Sequence, residues 1–199
     1  MKRAAIGVRM HSGWGALVAV SISAGTMQVI ERRRFAIATP GTGGNQPYHF
    51  AGNLELPEAE KFLGNCFAAS KGLALAAVRD VVGELCGREY FVVGSAVLLA
   101  SGRPLPTLSK ILASHALIHA AEEEFFREAF SKACERLNLS VTGFRERILD
   151  ECVQSTFGKM ANSIRQQVST FGRSLGPPWT KDQKTAAIAA LIVLANKQR

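Results

Sequence analysis

One stretch limits the possible folds more than any other: residues 89–100, EYFVVGSAVLLA, are almost wholly apolar. A strand of this kind has no solvent face, so both of its sides must be covered, as in the middle of a sheet with parallel neighbours. It is far too short to cross a bilayer as a helix, which takes about 20 apolar residues, and no other run approaches that length. The same chain must therefore supply helices for both faces of a sheet.

The flanking sequence provides them. Residues 4–10 and 14–23 read as apolar strands joined by Ser12-Gly13 turn chemistry, and residues 26–38 as a third strand, which makes a meander. Residues 39–53, TPGTGGNQPYHFAGN, are dense in Gly, Pro and Asn and read as a loop, with Asn53 as the N-cap of the next helix. From Pro57 to about Leu85, apolar residues recur on one helical face, with Gly64, Gly72 and Gly83 as points of weakness. After the apolar strand and the loop SGRPLP, the pattern predicts a helix from about Thr107 to Leu137 and a short strand over 139–144. Helical segments then recur near 146–156, 159–171 and 181–197.

The expected order is β-β-β-α-β-α-β-α with extra C-terminal helices, an α/β mixed sheet with helices on both faces. One domain over 1–199 suits this length, with 146–199 as its helical C-terminal part. Cys66, Cys86, Cys134 and Cys152 form no C-x-x-C pair and read as free thiols. The basic start MKRAAIGVRM leads into no h-region, so the cytoplasm is the expected compartment.

Net charge is +8 and uneven. Residues 1–50 carry six Lys or Arg and one acid, 51–150 eleven and thirteen, and 151–199 seven and two. Two basic ends around a near-neutral middle point to an anionic partner such as nucleic acid.

The order of elements is that of the ribonuclease H-like fold. IGVRMHSGWGALVAV (6–20) resembles the opening of RuvC-type Holliday-junction resolvases, with Gly13-Trp14-Gly15 at the entry to strand two. The long helix after the fourth strand, the strand near LSVTGF and the helix KDQKTAAIAALIVLA are similar to that pattern too. The resemblance implies a catalytic aspartate at the end of strand one, but Arg9 stands there and residues 1–30 contain no Asp or Glu. A two-metal site needs clustered carboxylates, because hard divalent ions take anionic oxygen ligands. Asp182 is the sole candidate in the last helix, so two-metal nuclease activity is not expected.

A different set of groups takes its place. On a wheel of about 100° per residue, His115, His119 and Glu122 share the sector of Ile111, Ile118, Phe125, Ala129 and Ala133. A carboxylate among apolar neighbours calls for a partner, which an imidazole can supply. The trio reads as a His/Glu acid–base set or a His-His-Glu metal site; a satisfied histidine pair on a less buried helix end is the bland alternative. Within the resembled fold, Arg9 and His11 are expected to converge on this trio, with Arg103 and Lys184 bordering the cleft. His11, His115, His119 and Glu122 are then candidate catalytic residues, Arg9, Arg103 and Lys184 candidate anion ligands, and no residue is assigned to a metal. The expected function is nucleic-acid association without two-metal catalysis; the alternative is an enzyme acting on a phosphate-bearing ligand through the His/Arg/Glu groups. The sequence specifies no cofactor and no oligomeric state.

Overall fold

The computed structural model describes residues 1–23, 25–39, 41, 43–99 and 104–197. Three antiparallel strands, β1 (Lys2–His11), β2 (Trp14–Ser23) and β3 (Thr26–Ala36), open the chain. Two more, β4 (Tyr90–Leu99) and β5 (Val141–Arg145), run parallel to β1, and the sheet order is β3-β2-β1-β4-β5. Within the apolar run, Tyr90–Leu99 is thus an inner strand, as its missing solvent face requires.

The strand period of two sorts side chains between two cores. Ile6, Val8 and Met10 of β1 and Leu17 and Ala19 of β2 face one layer. It is covered by α2 (Leu56–Gly87) and α4 (His115–Arg136), whose Val78, Val81, Phe126 and Phe130 are buried there. Ala5, Val18 and Val20 face the other layer, closed by α5 (Leu149–Phe157), α6 (Ala161–Leu175) and α7 (Lys181–Asn196). Burial of such side chains contributes about 1.5–3 kcal/mol each, so each face is held by many modest terms.

Helix α7 lies directly on β1. Gly7 makes this possible: a Cβ there would sit 1.9 Å from the Ala186 carbonyl oxygen. The start of α7 is fixed by a capping box, in which the Thr180 side chain accepts from the Asp182 N–H and the Gln183 side chain accepts from the Thr180 N–H.

Several expectations are corrected here. The segment 39–53 is not all loop: Pro47–Ala51 form a short helix, α1, with proline in its first turn, where a missing N–H costs nothing. The N-cap of α2 is Glu55 rather than Asn53, and α2 runs unbroken through its three interior glycines. The helix expected over 107–137 is two, α3 (Leu108–Leu112) and α4, separated where Ser114 takes an extended backbone. All four cysteines are free thiols. No helix among the described residues is long and apolar enough to cross a membrane.

Candidate functional site

The C-terminal ends of β1, β4 and β5 lie side by side because the three strands are parallel, and open α/β sheets bind ligands at such ends. Strand β1 delivers Arg9 and His11 there. Just past β5 comes Glu146, and the first turn of α7 brings Lys181 and Asp182. These five side chains form one network. Arg9 Nη1 donates to Glu146 Oε2 at 2.6 Å, and Arg9 Nε lies 3.0 Å from Asp182 Oδ1. His11 Nε2 is 3.0 Å from the other Asp182 oxygen, and Lys181 Nζ is 2.5 Å from Glu146 Oε1.

Lys181 above all, with help from Arg9, holds the Glu146 carboxyl below the ordinary carboxylate range, while burial opposes them. The His11 ring stacks on Trp14 with centroids 4.2 Å apart, a direct result of the two-residue turn that pairs them across the hairpin. The Arg34 guanidinium also rests on Trp14, 3.9 Å from the ring centroid.

Beside this network is a cleft of about 160 Å³ lined by Arg9, His11, Ser12, Glu123, Arg127 and Glu146. Arg127 of α4 is nearly buried, donates from Nε to the Leu98 carbonyl at 2.8 Å, and leaves Nη1 without a hydrogen bond. Burial pulls its pKa down, opposed by Glu123 and Glu124. Glu146, Lys181 and Arg127 are absent from the expected site. The signal for Glu146 is its place immediately after the third parallel strand, where strand ends converge.

The expected set divides in two. Arg9 and His11 take Glu146 and Asp182 as partners, whereas His115, His119 and Glu122 gather with His49 of α1. Glu122 is buried, 2% exposed. Its Oε1 accepts from the Tyr48 N–H at 3.0 Å and the His49 N–H at 3.1 Å, and lies 3.0 Å from His49 Nδ1. Burial pushes this carboxyl up, and the contacts with His49 and then Tyr48 oppose the rise. His115 and His119 are exposed, not part of the buried stripe, because the first turns of α4 meet α1 and α3 rather than the sheet. Lys184 is half-buried in the second turn of α7, and Arg103 lies outside the described residues.

Arg32 and Arg33 of β3 are committed elsewhere. Arg32 donates to the carbonyls of Leu175, Gly176 and Pro178 at 2.6, 2.7 and 2.8 Å. Arg33, on the opposite face, pairs with Glu84 of α2 and Glu31. Trp179 donates to the Val168 carbonyl at 2.7 Å and meets Phe171 edge-on, which makes it an anchor between α6 and α7.

No family model matches the chain, and no curated protein does. Among solved structures, Thermus thermophilus RuvC in complex with a Holliday junction substrate aligns with a TM-score of 0.54 at 11% identity, over 98% of this chain and 95% of that one. A second Thermus thermophilus RuvC structure aligns with a TM-score of 0.52 at 12% identity and the same coverage. The chain therefore has the ribonuclease H-like fold, in an arrangement similar to that of RuvC along almost its whole length.

Proposed function

We propose that this chain is a nucleic-acid-associated binding protein whose strand-end site does not run two-metal phosphodiester cleavage. One observation carries the reading: the guanidinium of Arg9 hydrogen-bonds Glu146 and forms an ion pair with Asp182. Divalent ions at this strand end would depend on these carboxylates. Here the same oxygens face an arginine, a lysine and a histidine. A fixed cation among the ligand oxygens repels a second cation and occupies its coordination directions. The sequence expectation that only one acid is available changes to two acids paired with Arg9, with Glu123, paired with Arg127, a third on the cleft wall.

Association with nucleic acid rests on charge and on the fold. The chain carries +8, and the similar Thermus protein is one solved on a Holliday junction. Arg145 and Arg147 are exposed on either side of Glu146, at the mouth of the strand-end region. The test is binding of the full chain to four-way, duplex and single-stranded probes across a salt series. The expected result is affinity that falls steeply with salt, with a log–log slope near −0.9 for each phosphate neutralised on duplex DNA. The same probes incubated with Mg²⁺ or Mn²⁺ stay uncut. Absence of binding at about 50 mM salt, or metal-dependent cleavage, overturns the reading.

A further inference from the structure

We propose that His49, His115 and His119 bind one transition-metal ion, with zinc(II) the best chemical match, at a site separate from the strand-end cleft. Their ligand atoms all lie within 4.8 Å of one another. His115 and His119 are four residues apart on α4, so they present two imidazoles from successive turns of one face. His49 reaches the same point from α1, with ring centroids 4.8 Å from His119 and 5.6 Å from His115. Tetrahedral zinc with Zn–N bonds of about 2.0–2.1 Å brings ligand nitrogens to roughly 3.4 Å from each other. The two α4 histidines are exposed, so their rings are free to make that small adjustment.

Glu122 sets the third ligand. Its Oε1 already accepts two backbone N–H groups, so it faces His49 Nδ1 as an acceptor and Nδ1 carries the proton. The lone pair of His49 is then on Nε2, the atom left for a metal. A carboxylate behind a ligating histidine is the usual outer-shell support of such sites, fixing the tautomer and raising ligand basicity. Glu122 Oε2 is buried without a hydrogen bond, so the carboxylate is incompletely compensated by the protein alone. A dication on the far side of His49 supplies the missing positive charge.

Ligand chemistry narrows the ion. Three neutral imidazoles suit zinc, nickel, copper or cobalt and not magnesium or calcium, which take oxygen. Three protein ligands leave a fourth position for water, and the exposure of His115 and His119 opens that position to solvent. Bound metal also ties α1, and with it the glycine-rich segment before it, to the first turns of α4.

The experiment uses the full chain, stripped with a chelator and titrated with Zn²⁺ by calorimetry and with Co²⁺ by absorption. The wild type is expected to take one equivalent, to melt at a higher temperature with Zn²⁺ than without, and to show no shift with Mg²⁺. His119→Ala and His49→Ala are each expected to weaken binding at least about tenfold, and Glu122→Gln by about 10–100-fold. His115 and His119 are exposed, so the metal-free melting temperature of His115→Ala and His119→Ala stays near wild type, which separates lost ligation from lost folding. Equal affinity and stoichiometry in wild type and His119→Ala overturn the proposal. So does a thiolate-to-cobalt charge-transfer band, which places the ion on a cysteine, and so does the absence of any zinc-dependent shift.

Discussion

Arg9 is the residue on which the strand-end site turns. Its side chain is 22% exposed and pairs with two carboxylates, hydrogen-bonding the one just past β5 and facing the one in α7 at 3.0 Å. Removing it leaves, among the described residues, Glu146 paired with Lys181 and Asp182 paired with His11. Arg9→Ala is expected to destabilise the fold by about 1–3 kcal/mol at neutral pH, read as the shift in a urea melt. The acid dependence has a definite sign. Glu146 titrates below its unfolded value, so its contribution is complete above the unfolded carboxylate pKa of about 4.3 and is lost as pH falls through the folded value. The difference between wild type and Arg9→Ala should shrink as melts are repeated below about pH 4. Cys134 offers a second test: burial pushes its thiol up to about 12. Alkylation at neutral pH should mark exposed Cys86 in the native protein and Cys134 only in denaturant, as counted by mass spectrometry. Arg9 and His11 are visible in the sequence because a strand ending in a turn places its last side chains at the sheet's end. Glu146 carries one signal, its place just after β5, but nothing in the spacing links it to an arginine 137 residues away.

Among the elements, the outer strand β3 and the connector between α6 and α7 depend on one another. Arg32 closes the end of α6 by donating to the backbone carbonyls of Leu175, Gly176, Pro177 and Pro178. A lysine cannot reproduce that fork. Arg32→Lys should therefore behave much like Arg32→Ala. Both are expected to raise hydrogen exchange over residues 175–180 and to lower stability by about 1–2 kcal/mol, whereas a purely electrostatic role predicts that Lys rescues. The arginine run shows what periodicity can and cannot say. Alternation sends Arg32 and Arg33 to opposite faces as expected, but their partners, a connector and a helix, lie too far along the chain for spacing to reveal. Helix α4 teaches the same lesson in reverse. Its apolar stripe correctly marks Glu122 as buried, while His115 and His119 share the stripe's angle without sharing its cover. A wheel reports direction, not what stands opposite. His49 is hidden in a segment rich in Gly and Pro, although Pro47 at a helix start is a usable signal.

For the molecule as a whole, the relevant quantity is where its charge is free. Much of the basic N-terminal part is paired: Arg9, Arg32 and Arg33 all have partners inside the fold. Among the described residues, Arg145 and Arg147 are exposed cations beside the strand-end network, whereas Lys181, also exposed, is paired with Glu146. Arg145→Ala combined with Arg147→Ala is expected to weaken probe binding and to flatten its log–log salt slope by about 1–2 units, with the melting temperature unchanged. An unchanged slope would move the binding face away from this end of the sheet. The architecture itself is readable from the order of elements and the one run without a solvent face, since few topologies satisfy both. The site is less so, because it is assembled from strand ends and helix starts that only the finished fold brings together.

The contact between Gly7 and Ala186 has a further consequence. Arg9 lies two residues beyond Gly7, about 6.6 Å along the strand, and Asp182 lies four residues before Ala186, about 6 Å along the helix. The two rises match, so the crossing acts as a ruler: it sets the depth at which α7 sits and thereby the span of the Arg9–Asp182 bond. A methyl group at position 7 would work as a shim beneath the helix. Gly7→Ala should thus loosen an ion pair in which it takes no part, detectable as weaker coupling between Arg9→Ala and Asp182→Asn in a double-mutant cycle than in the wild-type background.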